Sequence, residues 1–183
     1  MTNNVNKYSI ELYQAPESEP ITLDEVKTFL RIDGDSENDS ISIMISAARM
    51  AAEKYMRNSI ISQKWKLSFD EITNCKVSLP YGPVTAIDSV NLISTSGEST
   101  EFSDTNYYLT AGNRSIYFSQ IPNGRRVEII FSTGMAEDAT TVSALIKQGL
   151  LAHIAFMYER KQLDVEPGST AKSLYNFYRN IGI

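Results

Sequence analysis

Hydrophobic and polar positions repeat with a helical period in the first sixty residues of the chain. The segment Thr22–Glu25 (TLDE) is a capping box, which predicts a short helix from Leu23 to about Arg31. A second helix is predicted from about Glu37 to Arg57, because apolar residues recur there at intervals of three and four. The residues expected to face the core are Leu23, Val26, Phe29 and Leu30 in the first helix, and Ile41, Met44, Ile45, Ala48, Ala52 and Tyr55 in the second.

The period changes to two between Ile61 and Thr133. In the stretch KWKLSFD, Trp65, Leu67 and Phe69 alternate with polar residues, as in a strand with one buried face. Further strands are predicted in KVSLP, AIDSVNLIS, NYYLTAG, RSIYF and RRVEIIFSTG, which are separated by turns rich in Gly, Pro and Asn. Ahead of the first helix, YSIELYQ (Tyr8–Gln14) predicts an extended arm. The middle of the chain is therefore expected to form a small antiparallel β structure.

A helical period returns after Thr133, in the stretch TVSALIKQGLLAHIAFMYERK. Its apolar residues cover much of the helix girth, which is typical of a helix buried on more than one side. In a chain of this size, we expect the second covering surface to come from a neighbouring subunit. The face expected to be buried comprises Val142, Leu145, Ile146, Leu150, His153, Ile154 and Met157. Beyond Pro167 and Gly168, the stretch AKSLYNFYRN predicts a short aromatic tail helix.

Helices at both ends and strands between them predict an α+β fold. A helical core, made of the N-terminal helix pair and one long C-terminal helix, would be interrupted by the antiparallel β insert. We predict five parts along the chain: an N-terminal arm (1–20), the first part of the helical core (21–60), the β insert (61–133), the second part of the core (134–166) and a C-terminal tail helix (167–183).

The composition and net charge of the chain argue against several classes of protein. The 183 residues include a single cysteine, Cys75, which excludes an internal disulfide and indicates a reducing cytoplasm. The longest strongly apolar run, Gly149–Met157, is far shorter than the ~20 residues of a membrane-spanning helix, so we expect no association with a membrane. The net charge of −5 and the lack of clustered Lys and Arg argue against tight binding to DNA.

Four acidic residues occupy every second position of the stretch RIDGDSENDS, which joins the two N-terminal helices: Asp33, Asp35, Glu37 and Asp39. A calcium-binding EF-hand loop that began at the first of them would need Gly at its sixth place and Glu at its twelfth. Those places hold Asn38 and Met44. We therefore interpret the stretch as a joint between helices, in which Asp35, Ser36 or Asn38 caps the second helix.

No arrangement typical of an active site is present in the sequence. The single histidine, His153, lies on the apolar face of the long C-terminal helix, so we interpret it as a core or interface residue. No G-x-S-x-G elbow and no phosphate-binding glycine loop occurs. One Cys and one His are too few for a Cys/His zinc site. We predict a protein that is not an enzyme and has no catalytic residues, no metal and no cofactor.

The order of motifs resembles a known family. The stretch ITLDEVKTFLRIDGDSENDSISIMISAARMAAEKYMRNSIISQKW is similar to the opening of the head–tail connector (adaptor, or head-completion) proteins of long-tailed bacteriophages and prophages. Its motifs are an L-x-E-x-K-x-x-L-R-I-D helix, an acidic joint, an AAR…AE-x-Y helix and a Q-x-W strand. The similarity continues through LPYGPVTAIDSV, the STG before the last long helix, and ALIKQGLLAHIAFMYERK, from about Ile21 to Lys161. Members of this family share a helical core with a β insert.

The resemblance implies a structural role in a virion. The chain would form a homo-oligomeric ring that docks on the portal protein after DNA packaging and extends the DNA channel. The ring would offer a platform to the next head-completion or tail protein, and double-stranded DNA would pass through it without specific binding. The protein would be found at the head–tail interface of the virion, and in the host cytoplasm during assembly.

The tail is the segment that we expect to contact the portal, because it is aromatic, terminal and separated from the core by Pro-Gly. Its predicted contact residues are Leu174, Tyr175, Phe177, Tyr178 and Arg179. Two other interpretations remain open at this point. One is a β-rich module, without catalytic activity, that binds a protein or a carbohydrate through the tyrosines of the insert. The other is a hydrolase that uses acidic residues such as Asp33, Asp35 and Glu37.

Overall fold

A computed structural model describes residues 8–160 and 166–180 of the chain. Within those ranges it contains four α-helices and two antiparallel sheets, so the predicted α+β fold is confirmed. The strands are β1 (Tyr8–Gln14), β2 (Gln63–Phe69), β3 (Lys76–Ser78), β4 (Val84–Ile93), β5 (Ser99–Glu101), β6 (Tyr107–Leu109), β7 (Ser115–Phe118) and β8 (Arg126–Thr133). The helices are α1 (Leu23–Leu30), α2 (Asn38–Met56), α3 (Ala144–Arg160) and α4 (Ser169–Tyr175).

The chain divides into two compact units, each with its own hydrophobic core. We call Met1–Pro16 with Gln63–Gly134 the sheet unit, and Glu17–Ser62 with Met135–Ile183 the helical unit. The core of the sheet unit contains Leu67, Phe69, Ile72, Val77, Leu79, Val84, Val90, Ile116, Phe118, Val127, Ile129 and Phe131. The core of the helical unit contains Ile21, Val26, Ile41, Ile45, Ala48, Ala52, Met56, Ile60, Ile61, Ala136, Val142, Ile146, Leu150, Ile154, Met157, Ala171 and Tyr175.

The sheet unit consists of a five-stranded sheet in the order β1-β2-β8-β4-β5 and a three-stranded sheet in the order β3-β7-β6. The alternation predicted for KWKLSFD is present in β2, where Leu67 and Phe69 are buried. The stretch predicted as an extended arm forms β1, which pairs with β2 from Tyr8–Phe69 to Gln14–Lys64. The short strand β5 was not predicted, because all three of its residues are exposed and polar and so carry no hydrophobic alternation.

The helical unit begins with the capping box that the sequence predicts. The Thr22 hydroxyl accepts a hydrogen bond from the Glu25 amide, and the Glu25 carboxylate accepts one from the Thr22 amide, at 3.2 and 2.7 Å. Lys147 also donates to Glu25, and this bond, together with those from Thr22, holds the pKa of Glu25 below its ordinary value. Both α1 and α2 end at an arginine in the left-handed conformation, Arg31 and Arg57.

Two residues that were expected in the core lie at the surface instead. Phe29 of α1 is 45% exposed, because the buried stripe of this short helix runs through Leu23, Val26 and Leu30. At about 100° per residue, Phe29 falls on the far edge of that stripe. Leu145 of α3 is 42% exposed, since it points about 140° away from the buried Leu150 around the helix axis.

Much of the wide apolar surface of α3 is covered by other helices of its own chain. Helices α1, α2 and α4 all pack on it. Leu151, on the side of α3, is partly buried and packs against the core of the helical unit. Phe156 lies between the Arg160 guanidinium, 4.3 Å from its ring centre, and Gly168. The tail therefore supplies part of the covering surface of α3, and a contribution from a neighbouring subunit stays a prediction.

A buried charge network fixes the end of α2. Arg49 donates two hydrogen bonds to Glu19, at 2.8 and 3.2 Å, and a third to Glu53, at 3.3 Å. The second carboxylate oxygen of Glu53 accepts the Ile60 amide at 2.8 Å. Burial alone would lower the pKa of Arg49, but its two carboxylate partners raise it above the ordinary value. The network ties Glu19 and the turn after α2 to the helix.

Candidate interaction surfaces

The acidic stretch between α1 and α2 forms a joint, as the sequence predicts, but by different contacts. Lys27 of α1 donates to Asp35 at 2.9 Å and to the Asn38 side chain at 3.1 Å. These two hydrogen bonds link α1 to the start of α2. The hydrogen bonds from Lys27 and Asn38 hold the pKa of Asp35 below its ordinary value. Glu37 occupies the N-cap position and makes no side-chain cap bond, so the expected capping by Asp35, Ser36 or Asn38 is absent. Asp35 instead accepts the hydrogen bond from Lys27 that links the two helices.

His153 and Glu37, two of the residues considered for catalysis, both have structural positions. His153 is fully buried in α3, as expected for a core histidine. The Glu37 carboxylate accepts a hydrogen bond from the Tyr158 hydroxyl at 3.3 Å, which ties the joint to the third helix. In residues 8–160 and 166–180, no group of three or more His, Cys, Asp or Glu side chains is placed to hold a metal ion. Nor does any helix of the same ranges have the length and hydropathy needed to cross a membrane.

The tail is anchored to the body of the helical unit. Tyr175 is completely buried against Gly149 of α3, and burial raises the pKa of its hydroxyl. The Tyr178 and Ser143 hydroxyls are 2.6 Å apart, and the Asn58 side chain donates to the Tyr178 carbonyl at 2.6 Å. These contacts fix the tail backbone up to the short 3-10 turn Asn176–Tyr178.

The five tail residues predicted to bind a partner therefore differ in what they offer. Tyr175 is inside the core and cannot reach a partner, while Leu174 and Tyr178 are half-buried. The Arg179 guanidinium is exposed and lies 4.8 Å from the centre of the Tyr55 ring. Phe177 is 76% exposed, the largest exposed fraction among the bulky apolar side chains of the described residues. Partner binding by the tail stays a prediction, and Phe177 is its strongest candidate.

The buried hydroxyl of Tyr175 gives a first testable prediction. It has no hydrogen-bond partner among the described residues. Replacing Tyr175 with Phe removes a buried polar group without opening a cavity, so the free energy of unfolding should stay the same or rise. Urea unfolding followed by circular dichroism measures this change. A loss of more than about 1 kcal/mol, the typical worth of a made hydrogen bond, would show that the hydroxyl is bonded after all.

A basic groove of about 520 Å³ runs beside the tail. Its walls carry four cationic side chains and one carboxylate: Lys54, Arg57, Lys172, Arg179 and Glu166. The Glu166 carboxylate is paired with Lys172 at 3.2 Å. The excess of positive charge is local, because the chain as a whole carries −5. Sequence reasoning missed this groove, since its residues come from the end of α2 and from the tail.

Helix α2 also carries a largely exposed stripe, which we call the α2 stripe: Asp39, Ile43, Ala47, Met50 and Lys54. Ala47 is half-buried, and the other four residues are exposed. At about 100° per residue, these positions lie within a band about 80° wide. Ile43 and Met50 are 63% and 60% exposed, whereas the opposite face of the helix is fully buried. The spacing of Ile43 and Met50 is visible in the sequence, but we interpreted only the face of α2 that was expected to be buried.

Comparison with known proteins identifies the class. The model of the family "Phage gp6-like head-tail connector protein" matches residues 20–117, more than half of the chain. The chain belongs to this family of structural connectors. The predicted family and the prediction that the protein is not an enzyme are both confirmed by this membership. No curated protein matches the chain.

Solved structures with the same fold come from gene transfer agent (GTA) particles. A chain in the neck of an empty GTA particle, computed with C6 symmetry, aligns with a TM-score of 0.81 at 19% identity, covering 96% of this chain and 97% of that one. A chain in the virion of the native particle gives 0.79 at 19% identity, with 95% and 96% covered. A chain in the native neck, computed with C12 symmetry, gives 0.69 at 20% identity, with 94% and 97% covered. At such identities the likeness shows a shared fold.

Proposed function

We propose that this connector forms a closed ring that docks on the portal protein, extends the DNA channel and presents a platform to the next connector or tail protein. Membership of the head–tail connector family supports the position in the particle. The ring is supported by the fold shared with chains of neck structures computed with C6 and C12 symmetry. A heterologous contact between identical subunits closes into such a ring when its rotation divides a full turn.

The charge of the chain suits a channel wall. Its net charge of −5 disfavours the release of counterions from DNA that drives tight binding. Double-stranded DNA could then pass without being held. The protein would be located in the neck of the virion, after a period in the host cytoplasm during assembly.

The observation that carries the portal contact is Phe177, a large apolar side chain held outward on an anchored segment. Aromatic side chains are frequent hot spots of protein interfaces, and a rigid backbone reduces the entropy lost on binding. Arg179 and Tyr178 lie beside it and would supply a polar rim. Leu174 is half-buried and would add apolar area to the same contact.

Replacing Phe177 with Ser should weaken binding to the portal at least tenfold, the loss of about 1.4 kcal/mol that a modest hot spot contributes. Binding is measured by titrating the purified chain onto portal rings. A point replacement is the right test, because deleting the whole tail would also remove Tyr175 from the core. Ring formation is checked by electron microscopy of the chain with and without portal.

The matched control is Tyr108→Ser, which removes another exposed aromatic side chain from the sheet unit. It should leave portal affinity unchanged. Equal affinity of wild type and Phe177→Ser would refute the tail contact while leaving the ring open to the microscopy. A chain that stays monomeric both alone and in the presence of portal would refute the ring.

A further inference from the structure

The α2 stripe has opposite charges at its two ends and apolar residues between them. Asp39 and Lys54 are both exposed, and neither side chain has a hydrogen bond or ion pair within residues 8–160 and 166–180. They are fifteen residues apart on one straight element, which is about 22 Å at 1.5 Å per residue. They cannot neutralise each other within one chain. Charges of these signs also suit the helix dipole, but the dipole does not account for the exposed Ile43 and Met50.

The stripe matches itself when it is reversed. Consider an antiparallel copy of α2 related by a two-fold axis that passes between Ser46 and Ala47. Ile43 and Met50 are equally far from that axis, so Ile43 of one copy faces Met50 of the other. Asp39 and Lys54 are also equally far from it, so each carboxylate faces an ammonium group. The two residues at the axis are small and half-buried, which allows the helices to approach closely.

We propose that the unassembled protein pairs with a second copy of itself through the α2 stripe, with the two α2 helices antiparallel. Asp39 lies about 11 Å along the helix from the axis, and it meets Lys54 of the second copy only if the helices cross at a shallow angle. The common angle of about 20° keeps the two ends in contact, whereas one of about 50° separates them.

This pair is distinct from the ring. A two-fold contact uses the same patch on both copies and closes after two, so it cannot propagate around a channel. One helix stripe also buries less than the ~800 Å² per partner of a standard stable interface. The pair is therefore weak and holds free subunits as dimers at high concentration. Subunits held in such dimers would not be available for ring formation away from the portal.

Sedimentation velocity of the full chain over 5–200 µM, at low salt and in 0.5 M NaCl, measures the pairing. We expect a monomer–dimer equilibrium that salt weakens, because the end contacts are exposed ion pairs. Lys54→Glu and Asp39→Lys should each raise the dissociation constant about tenfold, because every pair creates two contacts of like charge. The double variant Asp39→Lys/Lys54→Glu restores opposite charges and should bring the constant back. Melting curves confirm that each variant is folded.

A cysteine scan places the axis. In a Cys75→Ser background, Ala47→Cys should form an intermolecular disulfide on mild oxidation, since residues beside the axis come within reach of one. Ser42→Cys is the control, because it is exposed on the same helix but about 100° away from Ile43.

Cross-linking at Ser42 but not at Ala47 would overturn the proposal. A monomer at every concentration would also overturn it, as would a dimer whose dissociation constant does not change with the charge substitutions. Rings on portal without this pair would leave the proposed function standing, and the pair without rings would leave this inference standing.

Discussion

Replacing Glu53 with Ala is expected to lower the free energy of unfolding by about 3–5 kcal/mol, the usual cost of breaking a buried ion pair from one side. The Glu53 side chain is 5% exposed, and its two oxygens have different partners. One pairs with Arg49, and the other accepts the Ile60 amide at the turn after α2. Alanine leaves the buried amide without an acceptor and Arg49 with Glu19 as its remaining carboxylate partner in the network. Urea unfolding, followed by the helical circular dichroism signal, measures the loss.

The matched variant is Glu53→Gln, which keeps an oxygen for the Ile60 amide while it removes the charge. It should lose less than half as much stability as Glu53→Ala, because the hydrogen bond to the backbone survives. Equal losses for the two variants would assign the whole effect to the ion pair with Arg49. A loss below about 0.5 kcal/mol for Glu53→Ala would contradict the buried network, since that is the range of ordinary surface substitutions.

Replacing Gly149 with Ala should destabilise the protein by about 2 kcal/mol, as overpacking of a filled core does. An added Cβ would lie 2.5 Å from Cε1 and 3.0 Å from Cδ1 of Tyr175. The ring is fully buried against α3, so we expect the tail to shift to relieve the clash. The sign is informative, because Gly→Ala inside a helix ordinarily stabilises by about 1 kcal/mol. The same urea titration measures the change.

Gly112→Ala is the control for this prediction, since its added Cβ would meet nothing within 4 Å. Its effect should stay within about 0.5 kcal/mol, as at other open surface sites. Combining Gly149→Ala with Tyr175→Leu should cost less than the sum of the two single losses, because the smaller side chain relieves the clash. A stabilised Gly149→Ala variant would show that Tyr175 does not pack where the structure places it.

The sequence predicts those features whose signal is local. The capping box at Thr22 and Glu25 needs four consecutive residues, and both of its hydrogen bonds are present. The alternation around Leu67 needs seven, and it gives β2. The strand β5 lacks such a signal, because an exposed edge of three polar residues is stabilised by its neighbour alone. Phe29 and Leu145 were misplaced because period alone does not tell which edge of an apolar stripe its partners cover.

The candidate surfaces were harder to predict, since each depends on contacts between distant parts of the chain. The tail was expected to be free for a partner because it is aromatic and follows Pro-Gly. Whether an aromatic side chain is buried depends on the surface opposite, and Gly149 in the middle of α3 leaves room for the Tyr175 ring. A glycine inside an otherwise good helix pattern is a usable signal of such close approach. The basic groove gave no comparable signal.

The pairing of β1 with β2 has a consequence for anyone who wants to excise or transplant the β region. Tyr8 sits opposite Phe69, so the edge of the five-stranded sheet comes from a stretch that precedes the helices in the gene. A clone that starts at Gln63 and stops at Gly134 would lack that outer strand and expose the backbone groups of β2 to aggregation. A single-chain version would need residues 8–14 appended through a designed linker. During synthesis, likewise, this ladder cannot form before the ribosome has passed the first two helices.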